Sequence, residues 1–335
     1  MKDALQLIAS EERFSLLHAG RFESDFAADV REGLTAKFKS LPPRWFYDEL
    51  GSSLFDTICF LPEYYVMRAE AEVLSTFRRE IVRSFGPALR LVELGSGTAR
   101  KTRMLLELLA PPQPSLEYVP IDVDETILER CGADLLAEYP SLRVTAICSD
   151  FSKPSVPLSL LPPWRGRTVV LFLGSTIGNL EPEAAVAMLT DLRSSLSPGD
   201  ALLLGADLRK SPAILEPAYD DSLGVTAAFN RNVLARINRE LGGEFDPRLF
   251  RHHAFYEESV GRIEMHLVSE RAQSIRIAAL DLTIDFAAGE SIHTESSYKH
   301  DYETLTELAA RSGFEIERHW TDARKWFTDV LLVAR

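Results

Sequence analysis

The segment Leu91-Val92-Glu93-Leu94-Gly95-Ser96-Gly97-Thr98 constrains the fold of this chain more than any other. Apolar residues around one acid read as a buried strand, and they run directly into a small, glycine-rich turn. A helix-like stretch, Lys101 to Leu109, follows. Strand, tight turn and helix in this order open an α/β unit. Glycine lets the backbone approach a ligand closely, because it lacks a Cβ and tolerates positive φ. Two common ligands are excluded. A dinucleotide turn needs a third glycine three residues after the second, where this chain has Arg100. A phosphate-binding loop needs glycine directly before the Lys-Thr pair, and Arg100 also precedes Lys101-Thr102. What remains is acid-x-Gly-x-Gly without a phosphate cradle, with a purely structural turn as the alternative.

The following strands narrow the choice. Leu116 to Ile121 reads as a second strand ending in Asp122-Val123-Asp124. Asp122, at the carboxyl end, is placed to accept hydrogen bonds from ribose hydroxyls. Asp124 precedes Ile127, Leu128 and Cys131 and suits a helix cap. Arg143 to Cys148 is a third strand, followed by Ser149-Asp150-Phe151. An acid beside an aromatic there can bind the adenine amino group and cover its face; a strand-end turn is the alternative. An adenosine without phosphates points to S-adenosylmethionine (SAM). Thr168 to Leu173 forms strand four, and Gly174-Ser175-Thr176-Ile177-Gly178-Asn179-Leu180 follows it. Ligands of α/β sheets bind at carboxyl ends of strands. Asn179 there can orient an amine or a carboxylate without adding charge, although Gly-Asn also suits a plain turn. A helix from Pro182 to Leu196 and strand five at Ala201 to Gly205 complete the regular part.

Beyond Asp207 the alternation stops. A helical stretch, Thr226 to Leu241, leads to alternating segments at Arg262–Val268 and Ser274–Ile277, the pattern of antiparallel strands with one wet face. A helix at Tyr302–Arg311 and strands at Phe314–Glu317 and Asp329–Ala334 close the chain. The region from about Lys210 to Lys299 therefore reads as inserted, packing with the N-terminal region over the substrate. The aromatic runs Trp45-Phe46-Tyr47 and Pro62-Glu63-Tyr64-Tyr65 suit a flat-walled pocket, or ordinary packing. Thr294-Glu295-Ser296-Ser297 offers a carboxylate beside a hydroxyl, which suits a nitrogen heterocycle, but the same residues can form a turn or cap. His252-His253 has no second ligand set nearby, so packing or solvation is expected. The three cysteines (Cys59, Cys131, Cys148) have no metal spacing, and no metal is expected. A formal net charge of -13 repels phosphate backbones, so nucleic acid is not an expected partner. No apolar run is long enough for a membrane and no leader is visible, so a cytoplasmic location is expected.

Taken together, LPPRWFYDELGSSLFD near Leu41, LPEYY near Leu61, LVELGSGT, FLGSTIGNL, AYDD with GVTAAFNRNVL, RIEM, ALDLTIDFAAGE and TESS resemble the histidine Nα-methyltransferases of ergothioneine biosynthesis. The resemblance covers nearly the whole chain and extends into the inserted region. It implies an α/β fold: a Rossmann-like, seven-stranded class I SAM methyltransferase sheet with a smaller α+β substrate-binding domain. The boundaries implied are 69–209 plus 300–335 for the sheet, and 16–68 plus 210–299 for the substrate domain. It further implies trimethylation of the L-histidine α-amino nitrogen to hercynine, by a monomer with no metal. On this resemblance Gly95, Lys101, Asp122, Asp150 and Phe151 hold SAM. Tyr64, Asn179 and Tyr219 take the substrate's amino and carboxylate groups, Glu295 and Ser297 its imidazole, and Met265 lies beside the ring. Tyr47, or a water near Asn179, assists proton removal. Val66-Met67-Arg68 and Tyr298-Lys299-His300 depart from the common family form. Two rival readings are a SAM-dependent methyltransferase of another amino acid or small amine, and a SAM-binding regulator without catalysis.

Overall fold

The computed structural model describes residues 5–10, 12–19, 26–110, 116–149, 158 and 161–335. In chain order the elements begin with β1 (Leu5–Ser10), β2 (Phe14–Ala19), α1 (Phe26–Thr35), α2 (Glu49–Ile58), α3 (Val66–Phe85), β3 (Leu89–Leu94) and α4 (Arg103–Leu109). They continue with β4 (Leu116–Asp122), α5 (Glu125–Glu138), β5 (Leu142–Cys148), β6 (Arg167–Phe172), α6 (Pro182–Ser194) and β7 (Ala201–Asp207). Next come α7 (Pro212–Tyr219), α8 (Val225–Leu241), β8 (Phe250–Glu257), β9 (Arg262–Ser269), β10 (Gln273–Ile277), β11 (Leu282–Phe286) and β12 (Ser291–Tyr298). The chain ends with α9 (Tyr302–Arg311), β13 (Phe314–Thr321) and β14 (Phe327–Ala334). Two compact units result: Met1–Phe22, Arg68–Leu208 and His300–Arg335 in one, Glu23–Met67 and Arg209–Lys299 in the other. No helix among the described residues is long and apolar enough to cross a membrane.

The first unit is built on a sheet of order β1-β2-β5-β4-β3-β6-β7-β14-β13. The five strands from β5 to β7 are mutually parallel, and β14 returns antiparallel between β7 and β13. β3 is buried along its whole length. Leu89 and Leu91 face one core with Val73, Leu74 and Ile81 of α3 and Leu105 and Leu106 of α4. Val92 and Leu94 face a second core with Leu189 and Leu192 of α6 and Leu305 and Leu308 of α9. Burial on both faces explains why β3 reads as a continuous apolar run rather than an alternation. The sequence pattern predicts seven strands, and the sheet carries two more. The β1–β2 hairpin extends it, β2 pairing parallel to β5. Residues 16–19, expected in the other unit, therefore pair within this sheet.

In the second unit, β12-β9-β8 form an antiparallel sheet and β10-β11 a separate hairpin. β9 alternates buried and half-buried residues along its length. Helix α8 contributes Phe229, Val233, Leu234 and Ile237 to the interior and ends at Gly242, whose φ of +64° is the left-handed conformation that closes a helix.

Candidate active site

In the first unit, the expected donor-binding residues Gly95, Lys101 and Asp122 lie at or just after the carboxyl ends of β3 and β4. Gly95 and Gly97 have φ of +70° and +48°. The Gly95 N–H donates to the Ile121 carbonyl of the neighbouring strand at 2.8 Å, which fixes the turn against β4. A Cβ added at Gly97 would meet no neighbouring atom, so the left-handed backbone, not crowding, is what favours glycine there. Asp122 accepts from the Gly97 N–H at 2.8 Å and from the Asp124 N–H at 3.2 Å. Its carboxyl is raised above the ordinary range by burial, which these backbone donors oppose. Asp124 caps α5 by accepting from the Ile127 N–H at 3.1 Å, as its sequence position suggests. Asp150 and Phe151 lie outside the described residues.

Lys101 sits in the turn before α4, and its Nζ pairs with Glu70 Oε2 at 2.5 Å. Glu70, fully buried on α3, accepts with its other oxygen from the Gly174 N–H at 2.7 Å. One carboxylate thus ties the turn after β3 to the loop after β6. That loop carries Ser175 at φ +58°, whose Oγ accepts from the Asp207 N–H at 2.9 Å. Asn179 ends the short helical turn Thr176–Asn179 and is half-buried. Glu93, the acid of the opening motif, is pushed up to about 7 by burial, while the Tyr118 hydroxyl donates to it and pulls it down. Asp329 on β14 is fully buried with neither carboxyl oxygen partnered. Burial first, and then Glu70, raise its pKa well above the carboxylate range.

The second unit collects Tyr47, Tyr64, Tyr219, Met265, Glu295 and Ser297. Tyr47 is fixed between the turn Pro43–Phe46 and α2, whose cap Asp48 accepts from the Gly51 N–H at 2.7 Å. Its ring meets Phe55 and Phe229 edge-on, each at 5.6 Å. Tyr64 meets Phe55 at 6.1 Å and Tyr219 at 6.3 Å. Tyr47 keeps 42 % of its surface exposed. Its phenol is nevertheless held above the ordinary range, first by desolvation among these rings and then by the nearby Glu295 carboxyl.

Thr294–Ser297 forms part of strand β12 instead of a turn or cap. Glu295 pairs in register with Met265, and Ser297 with Ile263. Paired residues share a face, so Met265, Glu295 and Ser297 point the same way. A bulge between His293 and Glu295 absorbs Thr294, whose hydroxyl donates to the Met265 carbonyl at 3.0 Å. The extra residue shifts the alternation, so that Ile292 and Glu295, three apart, lie on one face. Glu295 is pushed up to about 7 by burial, and Lys299 pulls it back down. Lys299 is only 2 % exposed. Its Nζ donates to Tyr219 Oη at 2.7 Å and to Ser297 Oγ at 2.8 Å, while those hydroxyls lie 2.9 Å apart. His252 is buried on β8. Its Nε2–H donates to the Tyr219 carbonyl at 2.8 Å and its Nδ1 accepts from the Asn230 amide at 2.8 Å, so it props Tyr219 rather than binding metal.

Asn179 and the donor residues thus lie in one unit and the six substrate candidates in the other. Sequence reasoning missed Glu70, whose partner Lys101 lies 31 residues away, and marked Lys299 only as a departure from the family form, without its bond to Tyr219, 80 residues away.

Residues 26–334 match the family model described as histidine-specific methyltransferase, SAM-dependent. The histidine N-alpha-methyltransferase of Mycolicibacterium smegmatis is 50% identical over 294 residues, 88% of this chain and 90% of that one. Its counterpart in Mycobacterium tuberculosis is 48% identical over 294 residues, with the same coverage. Ergothioneine biosynthesis protein 1 of Schizosaccharomyces pombe is 28% identical over 286 residues, 82% of this chain and 36% of that longer protein. With the family model spanning nearly all of the sequence, this chain belongs to the histidine-specific, SAM-dependent methyltransferases.

Proposed function

We propose that this protein transfers three methyl groups from SAM to the α-amino nitrogen of L-histidine, giving hercynine, in the first step of ergothioneine biosynthesis. The observation that carries the reading is the Glu295–Ser297 pair, on one face of β12 with Met265 opposite and Lys299 behind. A carboxyl and a hydroxyl two residues apart match the two nitrogens of an imidazole, one donating and one accepting. The first unit binds the donor through Gly95, Lys101, Asp122, Asp150 and Phe151. The second, with 23–67 and 209–299, is the substrate-binding domain. Tyr64 and Tyr219 of this domain, and Asn179, are the residues assigned to the amino and carboxylate groups. The protein acts as a cytoplasmic monomer.

SAM supplies a methyl group on a sulfonium. In each transfer the amine lone pair forms the new N–C bond as the C–S bond breaks, and the sulfur leaves as a neutral thioether. The chain contributes mainly alignment and exclusion of water. The methylated nitrogen must shed a proton before the next transfer. The raised phenol of Tyr47 stays protonated near neutrality, so its oxygen orients the amine and water carries the proton away. After three transfers nitrogen has no lone pair, and the cation faces the aromatic rings of the pocket. Incubation with SAM and histidine is expected to yield a product heavier by three methyl groups, all on the α-nitrogen by tandem mass spectrometry. Methyl groups on the ring, or no preference for histidine among amino acids, would overturn the reading.

A further inference from the structure

We propose that His18, Glu125 and Cys148 form a binding site for one zinc-like divalent cation, built where the N-terminal hairpin joins the sheet. The three residues come from three elements: β2, the first turn of α5 and the end of β5. His18 Nε2 lies 2.8 Å from Glu125 Oε2. With Cys148 Sγ, all three ligand atoms fall within 4.8 Å of one another. A tetrahedral zinc ion, with bonds of about 2.0–2.3 Å, holds its ligand atoms about 3.3–3.8 Å apart. Small side-chain rotations therefore suffice to close the shell. Imidazole, carboxylate and thiolate together favour a borderline-soft ion over magnesium or calcium.

The surroundings are acidic as well: Asp122 and Asp124 flank Val123, whose carbonyl accepts from the Cys148 thiol at 3.5 Å. Cys148 is 3 % exposed, whereas His18 and Glu125 are partly open to solvent, which leaves an entry path and a fourth position for water. On binding, the thiol gives its proton to solvent, and the ion bonds to the thiolate, the carboxylate and the neutral imidazole. Of the three ligands only His18 lies before the family match, which begins at residue 26. The ion would fasten the hairpin to the sheet edge.

The experiment uses the full chain, stripped with a chelator and titrated with Co²⁺. The expected result is one Co²⁺ per chain, with tetrahedral visible bands and a thiolate-to-cobalt absorption that Zn²⁺ displaces one for one. The absorption is expected to vanish in Cys148→Ser. His18→Ala and Glu125→Gln, at partly exposed positions where folding survives, are expected to lower affinity at least as much as the 10–100-fold typical of losing an outer-shell partner. Absence of the thiolate–cobalt absorption in the wild type overturns the proposal. So does its persistence in Cys148→Ser, which would assign it to Cys59 or Cys131, or unchanged affinity in both His18→Ala and Glu125→Gln.

Discussion

Three residues carry the proposed roles, and each can be tested alone. Asp122 accepts from the Gly97 N–H and still has lone pairs for ribose hydroxyls. Charge-assisted hydrogen bonds contribute about 1.5–3 kcal/mol each. Asp122→Ala is therefore expected to lower SAM affinity by about tenfold or more by calorimetry, with the unfolding transition retained. An unchanged affinity would confine Asp122 to holding the glycine turn. Glu295→Gln is expected to weaken histidine binding by about 1.5–3 kcal/mol and leave SAM binding intact, because the donor residues belong to the other unit. Discrimination against tryptophan and phenylalanine should relax along with it, since a site built for a polar ring rejects others chiefly through its own unpaired groups. Equal selectivity in mutant and wild type would remove Glu295 from ring recognition. Lys299→Met takes the donor away from both Tyr219 and Ser297. It is expected to raise the histidine KM more than it lowers kcat, and Lys299→Arg should not restore it, because a planar fork does not fit a site made for a compact ammonium.

At the scale of elements, the β1–β2 hairpin is the least expected part of the fold. Leu16 on β2 is completely buried in the core shared by α4 and α5. Leu16→Ala is expected to cost about 2–5 kcal/mol in denaturant unfolding, while SAM and histidine affinities stay near wild type. A loss below 1 kcal/mol would mean that the hairpin is not bound to β5 in solution. The hairpin was hard to read because its strands are short and separated by Glu11, Glu12 and Arg13, which suggest a surface segment. Strands β3, β4 and β7 were legible for the opposite reason: burial on both faces leaves largely apolar runs that end in glycine or aspartate. In the site, the Gly95–Gly97 turn, Asp122 and the Asp124 cap followed from the residues themselves. Glu295, Ser297 and Met265 were named through family resemblance. Local pattern could not have paired them, because their register depends on a bulge at Thr294. Glu70 carries no sequence signal, since its role arises from contacts distant in the chain, and Lys299 was marked only as part of a departure from the family form.

Across the whole molecule, burial holds protons on several carboxyls. Glu93 and Glu295 both sit at about 7, and Asp329 lies well above its ordinary value. Between pH 4.5 and 7 the folded state then binds protons that the unfolded chain has released, so stability falls as pH rises through this window. Carboxyls held low, such as Asp221 and Glu264, lose their contributions only at more acidic pH. Glu93 alone corresponds to a fall of roughly 3 kcal/mol at about 1.4 kcal/mol per pH unit. Glu93→Gln keeps an acceptor for the Tyr118 hydroxyl and is expected to flatten that part of the stability profile; an unchanged slope would show that Glu93 ionises normally. The connection between the units has a different consequence. The long excursion 209–299 leaves the sheet after Leu208 and rejoins it at His300, where these two residues form a parallel bridge and the His300 N–H donates to the Asp207 carbonyl at 2.8 Å. To the sheet, the excursion is a single loop with its ends already closed, and loop closure depends only weakly on length. Recombination can therefore exchange it as one cassette, replacing Tyr219, Met265, Glu295 and Ser297 while Tyr47, Tyr64 and the methyl donor's cradle are inherited unchanged.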